Sequence, residues 1–159
     1  MADRPLFEGA SRVFTPETFA YVMDSELKRA LRSRSYLTLV VLDVNREWEG
    51  MVMAIDDGTL QELAMVVAKD VRDTDVIGRT EGSALGLLLL DAEFEQARRV
   101  VDRVVARLED YRFPVALRVA VGAAGYPQHG TDAASLTREA LTRPLVNWRR
   151  PDRGWPDRN

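Results

Sequence analysis

The sequence contains no cysteine, and His129 is its one histidine among 159 residues. Without cysteine there is neither a disulfide framework nor a thiolate that could act as nucleophile or metal ligand. A single histidine excludes histidine metal clusters and most catalytic triads. The chemistry of this chain is therefore expected to rest on carboxylates, hydroxyls and guanidinium groups.

Long hydrophobic runs are also absent, since no apolar stretch approaches the roughly 20 residues of a membrane-spanning helix. No signal peptide is visible either. We therefore expect a soluble, cytoplasmic protein without a membrane partner. The net charge is −3, which argues against a generic nucleic-acid binder.

Lysine is scarce, because Lys28 and Lys69 are the two lysines among 22 basic residues. Arginine supplies the remaining positive charge, and its planar fork suits phosphates and base edges. An arginine-rich proteome would give the same bias. Hydrophobic residues make up 46% of the chain, which is enough for the core of one domain.

Hydrophobic periodicity predicts an α/β (α+β) domain over 14–142, with a central mixed sheet of about five strands flanked by helices. The pattern predicts a helix that begins at Thr15 and Pro16, three more helices over 59–71, 93–111 and 131–142, and strands over 36–44, 76–80, 84–90 and 115–124. Residues 1–13 are interpreted as a polar arm and 45–57 as a loop or short frayed helix. Residues 143–159 are interpreted as a mobile tail.

The chain is organised around a predicted β-hairpin at 76–90. A charged turn with Arg72 and Asp75 precedes its first strand, and Glu81-Gly82-Ser83 separates the two strands. A glycine-containing break between two apolar runs is typical of a hairpin. The almost continuous apolar run of the second strand indicates burial on both faces.

This hairpin resembles the signature hairpin of the GGDEF domain, the diguanylate cyclase family. Positions 81–85 (Glu-Gly-Ser-Ala-Leu) match the signature turn, Asp57-Gly58 matches the Asp-Gly that opens the second helix, and 121–130 resemble the family's Ile-Gly-Val-Ala…Tyr-Pro…Gly segment. Five partial matches fall in the family's order over residues 14–142. The resemblance implies the family's fold, and an activity in which two GTP molecules are joined into cyclic di-GMP.

The residues that this activity requires are largely missing. In the family, a strand-end aspartate and an acidic residue of the signature turn hold Mg²⁺, which prefers hard oxygen ligands. Asp43 matches the first, but Ser83 stands at the second and Ala84 removes the neighbouring carboxylate. Glu81 replaces a glycine that lets phosphate approach the backbone. We therefore expect no catalytic residue, no metal, no cofactor and a vestigial active site made of Asp43, Asp57, Glu81, Gly82, Ser83 and Ala84.

The guanine-reading residues are also only half retained. Asp57 matches the family's base-reading aspartate, but its asparagine partner falls at Met51, and the phosphate-binding lysine of the last helix aligns near Trp148. Asp57 is equally interpreted as a helix N-cap beside Gly58. An active cyclase is disfavoured, and GTP binding without turnover stays open.

A second site of the family is retained, the one used for product inhibition. Arg72-x-x-Asp75 ends five residues before the signature turn, as in the family, and Arg103 matches a further family arginine. An arginine fork can bind a phosphate or the O6 and N7 of guanine, and aspartate can accept from the guanine N1–H and N2–H. The resemblance therefore implies a cyclic di-GMP site at Arg72, Asp75 and Arg103. The alternative is a surface ion pair between Arg72 and Asp75.

Two functions follow. The first is a catalytically inactive receptor for cyclic di-GMP, in which the ligand reshapes or cross-links protomers. The second is an interaction module that binds no nucleotide and docks a protein through Trp48, Met51 and Met53, or through the tail with Trp148 and Trp155. Packing of those apolar residues in the core is the simpler alternative to a docking role. A homodimer is compatible with both functions.

Overall fold

The computed structural model describes residues 12–80 and 84–150 of the chain. Ten elements follow one another in the order α1 Pro16–Ser33, β1 Leu37–Trp48, β2 Met51–Ala54, α2 Asp57–Ala68, β3 Val76–Arg79, β4 Ala84–Leu90, α3 Phe94–Asp110, β5 Leu117–Tyr126, α4 Ala133–Thr142 and β6 Pro144–Arg150. The four predicted helices and four predicted strands are all present, with bounds shifted by a few residues.

The strands form one six-stranded sheet in the order β3-β4-β1-β5-β6. β2 pairs with the far end of β1, beyond the part that pairs with β4. Neighbouring named strands run antiparallel, and an isolated parallel bridge joins Phe14 to Gly78. The predicted α+β class is confirmed.

The sheet separates two hydrophobic cores, and β1 contributes to both because its side chains alternate between the faces. Val40, Leu42 and Val44 pack with α2 and α3, whereas Leu39 and Val41 pack with α1 and α4. Every residue of β4 except Leu90 is buried, as the continuous apolar run predicted.

Helix starts follow the sequence signals with two differences. Pro16 lies at the first position of α1, as expected, but the Thr15 hydroxyl donates to the Thr18 hydroxyl instead of capping the helix. Asp56, rather than Asp57, caps α2 by accepting from the Thr59 amide at 2.7 Å. Asp132 caps α4 through the Ser135 amide.

The interpretation of residues 45–57 as a loop or frayed helix is wrong. β1 continues to Trp48, and a two-residue turn at Glu49 and Gly50 leads into β2. Both turn residues have positive φ, 50° and 79°, as a type I′ hairpin turn requires. Glutamate rarely adopts this conformation, so the local sequence gave no hairpin signal.

The interpretation of residues 143–159 as a mobile tail is wrong for 144–150. These residues form β6, which pairs along β5. Trp148 is buried in the core opposite Val119, so it packs inward rather than offering a docking surface. Glu47 on β1 accepts two hydrogen bonds from Arg149, at 2.7 and 2.9 Å. Trp155 lies outside the described residues.

Candidate ligand-binding site at the Arg72–Asp75 turn

The Arg72–Asp75 segment is a tight turn between α2 and β3. The Asp75 amide donates to the Arg72 carbonyl at 3.0 Å and closes the turn. The Asp75 side chain is only 4% exposed. One carboxylate oxygen accepts from the Arg72 amide at 2.9 Å, and the other accepts from the Leu90 amide at 3.1 Å. Asp75 therefore fastens the turn to the end of β4.

Arg72 points its guanidinium along the outside of this turn. Its side chain is 63% exposed, and Nε lies 3.6 Å from the Asp75 carboxylate. Nη2 donates to the Leu90 carbonyl at 2.6 Å. The predicted surface ion pair is therefore present, but the contact is long and leaves much of the guanidinium accessible to a ligand.

A third residue, Arg12, also holds the turn. Nη2 of Arg12 donates to the Arg72 carbonyl at 2.8 Å and to the Asp75 carbonyl at 3.0 Å. The chain is held there because Phe14 exchanges backbone hydrogen bonds with Ile77 and Arg79 of β3. Arg12 thus contacts the turn directly, a contact that the interpretation of residues 1–13 as a polar arm does not predict.

The turn opens into a cavity of about 300 Å³ between it and α3, which we call the arginine cleft. The polar residues that line it are Asp70, Arg72, Asp75, Asp91, Gln96, Arg99 and Arg103. The structure therefore brings together Arg72, Asp75 and Arg103, the three residues that the sequence predicted for one ligand.

Carboxylates in the arginine cleft are largely engaged by other groups. Asp70, whose side chain is 6% exposed, accepts from Arg107 at 2.6 and 3.2 Å, and the Arg107 pKa is raised by this hydrogen bond. Arg103 reaches the same carboxylate only at 3.8 Å. Asp91 is the remaining acid of the cleft, and it is exposed. The exposed guanidinium groups of Arg72, Arg99 and Arg103 outnumber this carboxylate, so the accessible charge of the cleft is positive.

Sequence analysis missed Arg99, which lies one helical turn before Arg103 on α3. Both side chains are exposed and line the cleft. Residues four apart on a helix share a face, so this spacing could have identified Arg99. Arg12 offered no comparable signal, because 60 residues separate it from its hydrogen-bond partner Arg72.

The predicted vestigial active site lies at the opposite end of the β3–β4 hairpin. Asp43 is exposed in β1, where it pairs with Ala84 on β4 and Ala120 on β5. Glu81, Gly82 and Ser83 lie outside the described residues. Asp57 is the first residue of α2, and its carboxylate accepts from Arg79 at 3.1 Å. Its N-cap interpretation is wrong, since Asp56 caps the helix.

Two features are absent from residues 12–80 and 84–150, a cluster of metal ligands and a membrane-spanning helix. In that part of the chain, no three acidic or histidine side chains come close enough together to hold a metal ion. None of the helices described there has the length and apolarity needed to cross a membrane.

A larger cavity, of about 740 Å³, lies between α1 and α4 and has a mostly apolar lining that includes Phe19, Met23 and Leu141. It contains none of the residues that the sequence predicted for a ligand. Of the apolar residues predicted to dock a partner, Trp48 and Met51 are exposed and Met53 is half-buried.

Comparison with known proteins agrees with this fold. The family model described as "Diguanylate cyclase, GGDEF domain" matches residues 15–143. The sequence is 29% identical over 131 residues to the diguanylate cyclase TpbB of Pseudomonas aeruginosa, covering 74% of this chain. It is 38% identical over 60 residues to the probable diguanylate cyclase DgcE of Escherichia coli, covering 38% of this chain. The chain spans only 30% and 5% of the length of these two relatives.

Solved structures give the same result for the fold. The GGDEF domain of DgcB from Caulobacter crescentus, in complex with c-di-GMP, superposes with a TM-score of 0.70 at 14% identity, covering 89% of this chain and 87% of that one. The match over residues 15–143 exceeds half of the chain. This chain therefore belongs to the GGDEF domain family and is related to bacterial diguanylate cyclases.

Proposed function

We propose that this chain is a catalytically inactive GGDEF domain that acts as a receptor for cyclic di-GMP. The observation that carries the proposal is the exposed Arg72 guanidinium, which shares the arginine cleft with Arg99 and Arg103. Cyclic di-GMP offers two phosphates and two guanines, and arginine binds both in a bidentate manner. DgcB, a domain of the same fold, is described in complex with this nucleotide, which makes it the first ligand to test.

Within this proposal, Arg72 and Asp75 have different tasks. The Asp75 carboxylate is almost fully buried and accepts from two backbone amides. The first effect of the Asp75 carboxylate is to hold Arg72 at the mouth of the cleft. A guanine N–H reaches this carboxylate only next to its 3.6 Å contact with Arg72 Nε. The three arginines supply the phosphate contacts.

The cleft accommodates part of the ligand. Its volume of about 300 Å³ lies at the low end of the roughly 300–1,000 Å³ typical of ligand pockets. One phosphate and its guanine fill it, and the second half of the dinucleotide projects outward. That projecting half is available to a second ligand molecule or a second protomer, which is how binding would be converted into a signal.

Catalytic inactivity is supported by the surroundings of Asp43. Its register neighbours on both adjacent strands are alanines, Ala84 and Ala120. The sequence places Ser83, which carries no negative charge, where the family has its second metal-binding acid. A single carboxylate holds Mg²⁺ weakly, because the ion is usually bound through carboxylates together with substrate phosphates.

The β1–β2 hairpin supports the proposal that the guanine-reading part of the substrate site is lost. Met51, at the position of the guanine-reading asparagine, is an exposed apolar residue of β2. Asp57, at the position of the partner aspartate, is paired with Arg79. Met51 has no polar side-chain group with which to read a guanine edge, and Asp57 would have to exchange its contact with Arg79 for the base.

Titration calorimetry with cyclic di-GMP tests the receptor function. We expect binding in the micromolar range that Arg72→Ala weakens at least about tenfold, or 1.4 kcal/mol. Arg98→Ala is the matched control, because Arg98 is an exposed arginine of α3, next to Arg99, that does not line the cleft. No heat at millimolar ligand, or an equal loss of affinity in both variants, would overturn the receptor function.

An assay with GTP and Mg²⁺ tests the proposed catalytic inactivity. It should yield no cyclic product, and product formation would overturn the inactivity.

A second candidate function, an interaction module independent of nucleotide, is favoured by the β1–β2 hairpin. Trp48 and Met51 are both exposed at its tip, and exposed aromatic and methionine side chains are typical anchors of protein interfaces. Calorimetry separates the two functions, since the module predicts no nucleotide binding at all.

A further inference from the structure

β2 is an edge strand, and its outer backbone groups have no partner strand among residues 12–80 and 84–150. Trp48 and Met51 flank the two-residue turn and form its hydrogen-bonded pair, so the next pair, Glu47 and Val52, points its backbone groups outward. The Glu47 amide confirms this alternation by donating to the Ala116 carbonyl, away from β2. The N–H and C=O of Val52 therefore point away from β1.

The residues of this edge do not protect it against pairing. Proteins usually shield exposed edges with lysine, proline, inward-pointing charge or a bulge. β2 consists of Met51, Val52, Met53 and Ala54, so none of those side chains is present, and the strand pairs regularly with β1. An uncharged, regular and open edge is a template for another strand.

One face of the hairpin adds an apolar surface beside that edge. Residues directly opposite each other in an antiparallel pair share a face, so Trp48 lies beside Met51, and Met53 lies on the same face. Trp48 is 52% exposed and Met51 is 63% exposed. A strand added at the edge would cover these side chains together.

Charges around the hairpin indicate which kind of strand fits. The neighbouring carboxylates are compensated within the chain, since Glu47 binds Arg149 and Asp57 binds Arg79. Asp56 caps α2, and its pKa is lowered by the Thr59 hydrogen bonds, with a smaller contribution from Arg46. The edge therefore presents no field that would select a partner of opposite charge. It suits an equally neutral strand, such as its own copy.

We propose that β2 pairs with β2 of a second copy of this chain, antiparallel, with Val52 opposite Val52 across a twofold axis. The pairing extends the sheet through both protomers and gives each Val52 amide an acceptor. It places Met51 of each copy opposite Met53 of the other, so the two apolar faces merge. A twofold interface is self-complementary by construction.

Glu49, the acid at the turn, does not oppose this arrangement. Each Glu49 lies three residues from the axis, so two strands that rise 3.3 Å per residue separate the pair by about 20 Å. That distance exceeds the Debye length of about 8 Å at physiological salt. The interface is small, so the expected dissociation constant lies between about 1 μM and 1 mM.

Sedimentation velocity of the full chain without nucleotide tests the proposal. We expect the mass to rise from monomer to dimer as the concentration approaches about 500 μM, within the affinity range expected for a small interface. Val52→Pro removes an outward N–H that no β1–β2 hydrogen bond uses, and Met51→Lys places a charge at the edge. Each should weaken dimerisation at least about tenfold. Met65→Lys is the matched control, because Met65 is 65% exposed on α2.

A monomeric mass at all concentrations overturns the proposal, whether or not another protein occupies the edge. A dimer that Met51→Lys and Met65→Lys weaken equally also overturns it.

Amide exchange of the wild-type chain gives a result that does not depend on any variant's folding. The Val52 amide should exchange more slowly at high protein concentration, whereas the Met53 amide, bonded to β1, should not change. Concentration-independent exchange at Val52 contradicts the proposal.

Discussion

The buried carboxylate of Asp75 and the backbone of Leu90 are joined across 15 residues of sequence: the Leu90 amide donates to Asp75 at 3.1 Å. Arg72 completes the link by donating to the Leu90 carbonyl at 2.6 Å. The two residues expected to bind a ligand therefore also lock the open end of the β3–β4 hairpin. Their substitution has consequences for stability as well as for affinity, and the two must be measured separately.

Replacing Asp75 by alanine leaves the Arg72 and Leu90 amides without their acceptor. A buried donor without a partner costs about 1–3 kcal/mol, so we expect Asp75→Ala to lower the free energy of unfolding by about 2 kcal/mol or more. Urea denaturation measures this change. Asp73→Ala, at an exposed position of the same turn, should stay within about 0.5 kcal/mol of wild type. Equal effects of the two variants would contradict the structural role of Asp75.

Arg99 is predicted to bind a ligand phosphate beside Arg103. We expect Arg99→Ala to weaken cyclic di-GMP binding at least about tenfold, because a charge-assisted contact is worth roughly 1.5–3 kcal/mol and about 1.4 kcal/mol is a tenfold change. Calorimetry measures the affinity. The neighbouring Arg98→Ala removes the same charge outside the cleft, so it controls for the general electrostatic effect. If the two substitutions weaken binding to the same extent, Arg99 has no specific contact.

Arg12 is predicted to act on the ligand through the turn rather than by contact. Its guanidinium binds the carbonyls of Arg72 and Asp75, and Arg12 is not among the residues that line the cleft. We expect Arg12→Ala to weaken cyclic di-GMP binding about threefold to tenfold by loosening the turn, and Arg12→Lys to recover part of the loss.

Arg29→Ala is the control for Arg12, because Arg29 forms a surface ion pair with Glu26 on α1. Its affinity for cyclic di-GMP should equal that of the wild type. A positioning role for Arg12 also predicts faster amide exchange at Asp75, whose N–H closes the turn. Unchanged exchange there, together with unchanged affinity, would show that Arg12 does not hold the turn.

Gly122 is predicted to be intolerant of any side chain. A Cβ at this position would lie 1.8 Å from the Ala140 carbonyl oxygen, which belongs to the backbone of α4. We expect Gly122→Ala to cost more than about 3 kcal/mol, since overpacking typically costs 1–3 kcal/mol and backbone cannot move aside as side chains do. Gly58→Ala is the control: in the first turn of α2 its Cβ would contact only Asp56 Oδ1, at 3.9 Å, so the change should be neutral or stabilising by up to about 1 kcal/mol. Thermal unfolding distinguishes the two.

The cap of α4 is predicted to make stability depend on acidity. Hydrogen bonds from the Ser135 backbone and side chain lower the pKa of Asp132 below its usual value of 3.8. A lowered folded-state pKa stabilises the fold fully above the unfolded pKa, and this stabilisation is lost as the pH falls through the folded value. Chemical denaturation should therefore show a difference between wild type and Asp132→Ala that is largest at neutral pH and shrinks below about pH 3.8. A difference that does not change with pH would contradict the charged cap.

The sequence by itself determined the order of the helices and the strands of the sheet's centre. The apolar runs of β1 and β4 are long and rich in aliphatic residues, and α3 repeats its apolar positions with helical spacing. These are local patterns that burial requires, so they can be read without coordinates. The sequence also grouped Arg72, Asp75 and Arg103, because their spacing matched that of a family.

Only the tertiary structure decided the hairpin at 49–50, the strand β6, and the buried position of Asp75. Glu49 takes a left-handed conformation that its residue type disfavours, and β6 forms because the edge of β5 supplies its hydrogen bonds. The turn at Arg72 is held by Arg12 and Leu90, which are distant in sequence. In each case the stabilising partner lies far along the chain, and no local pattern encodes a contact between remote segments.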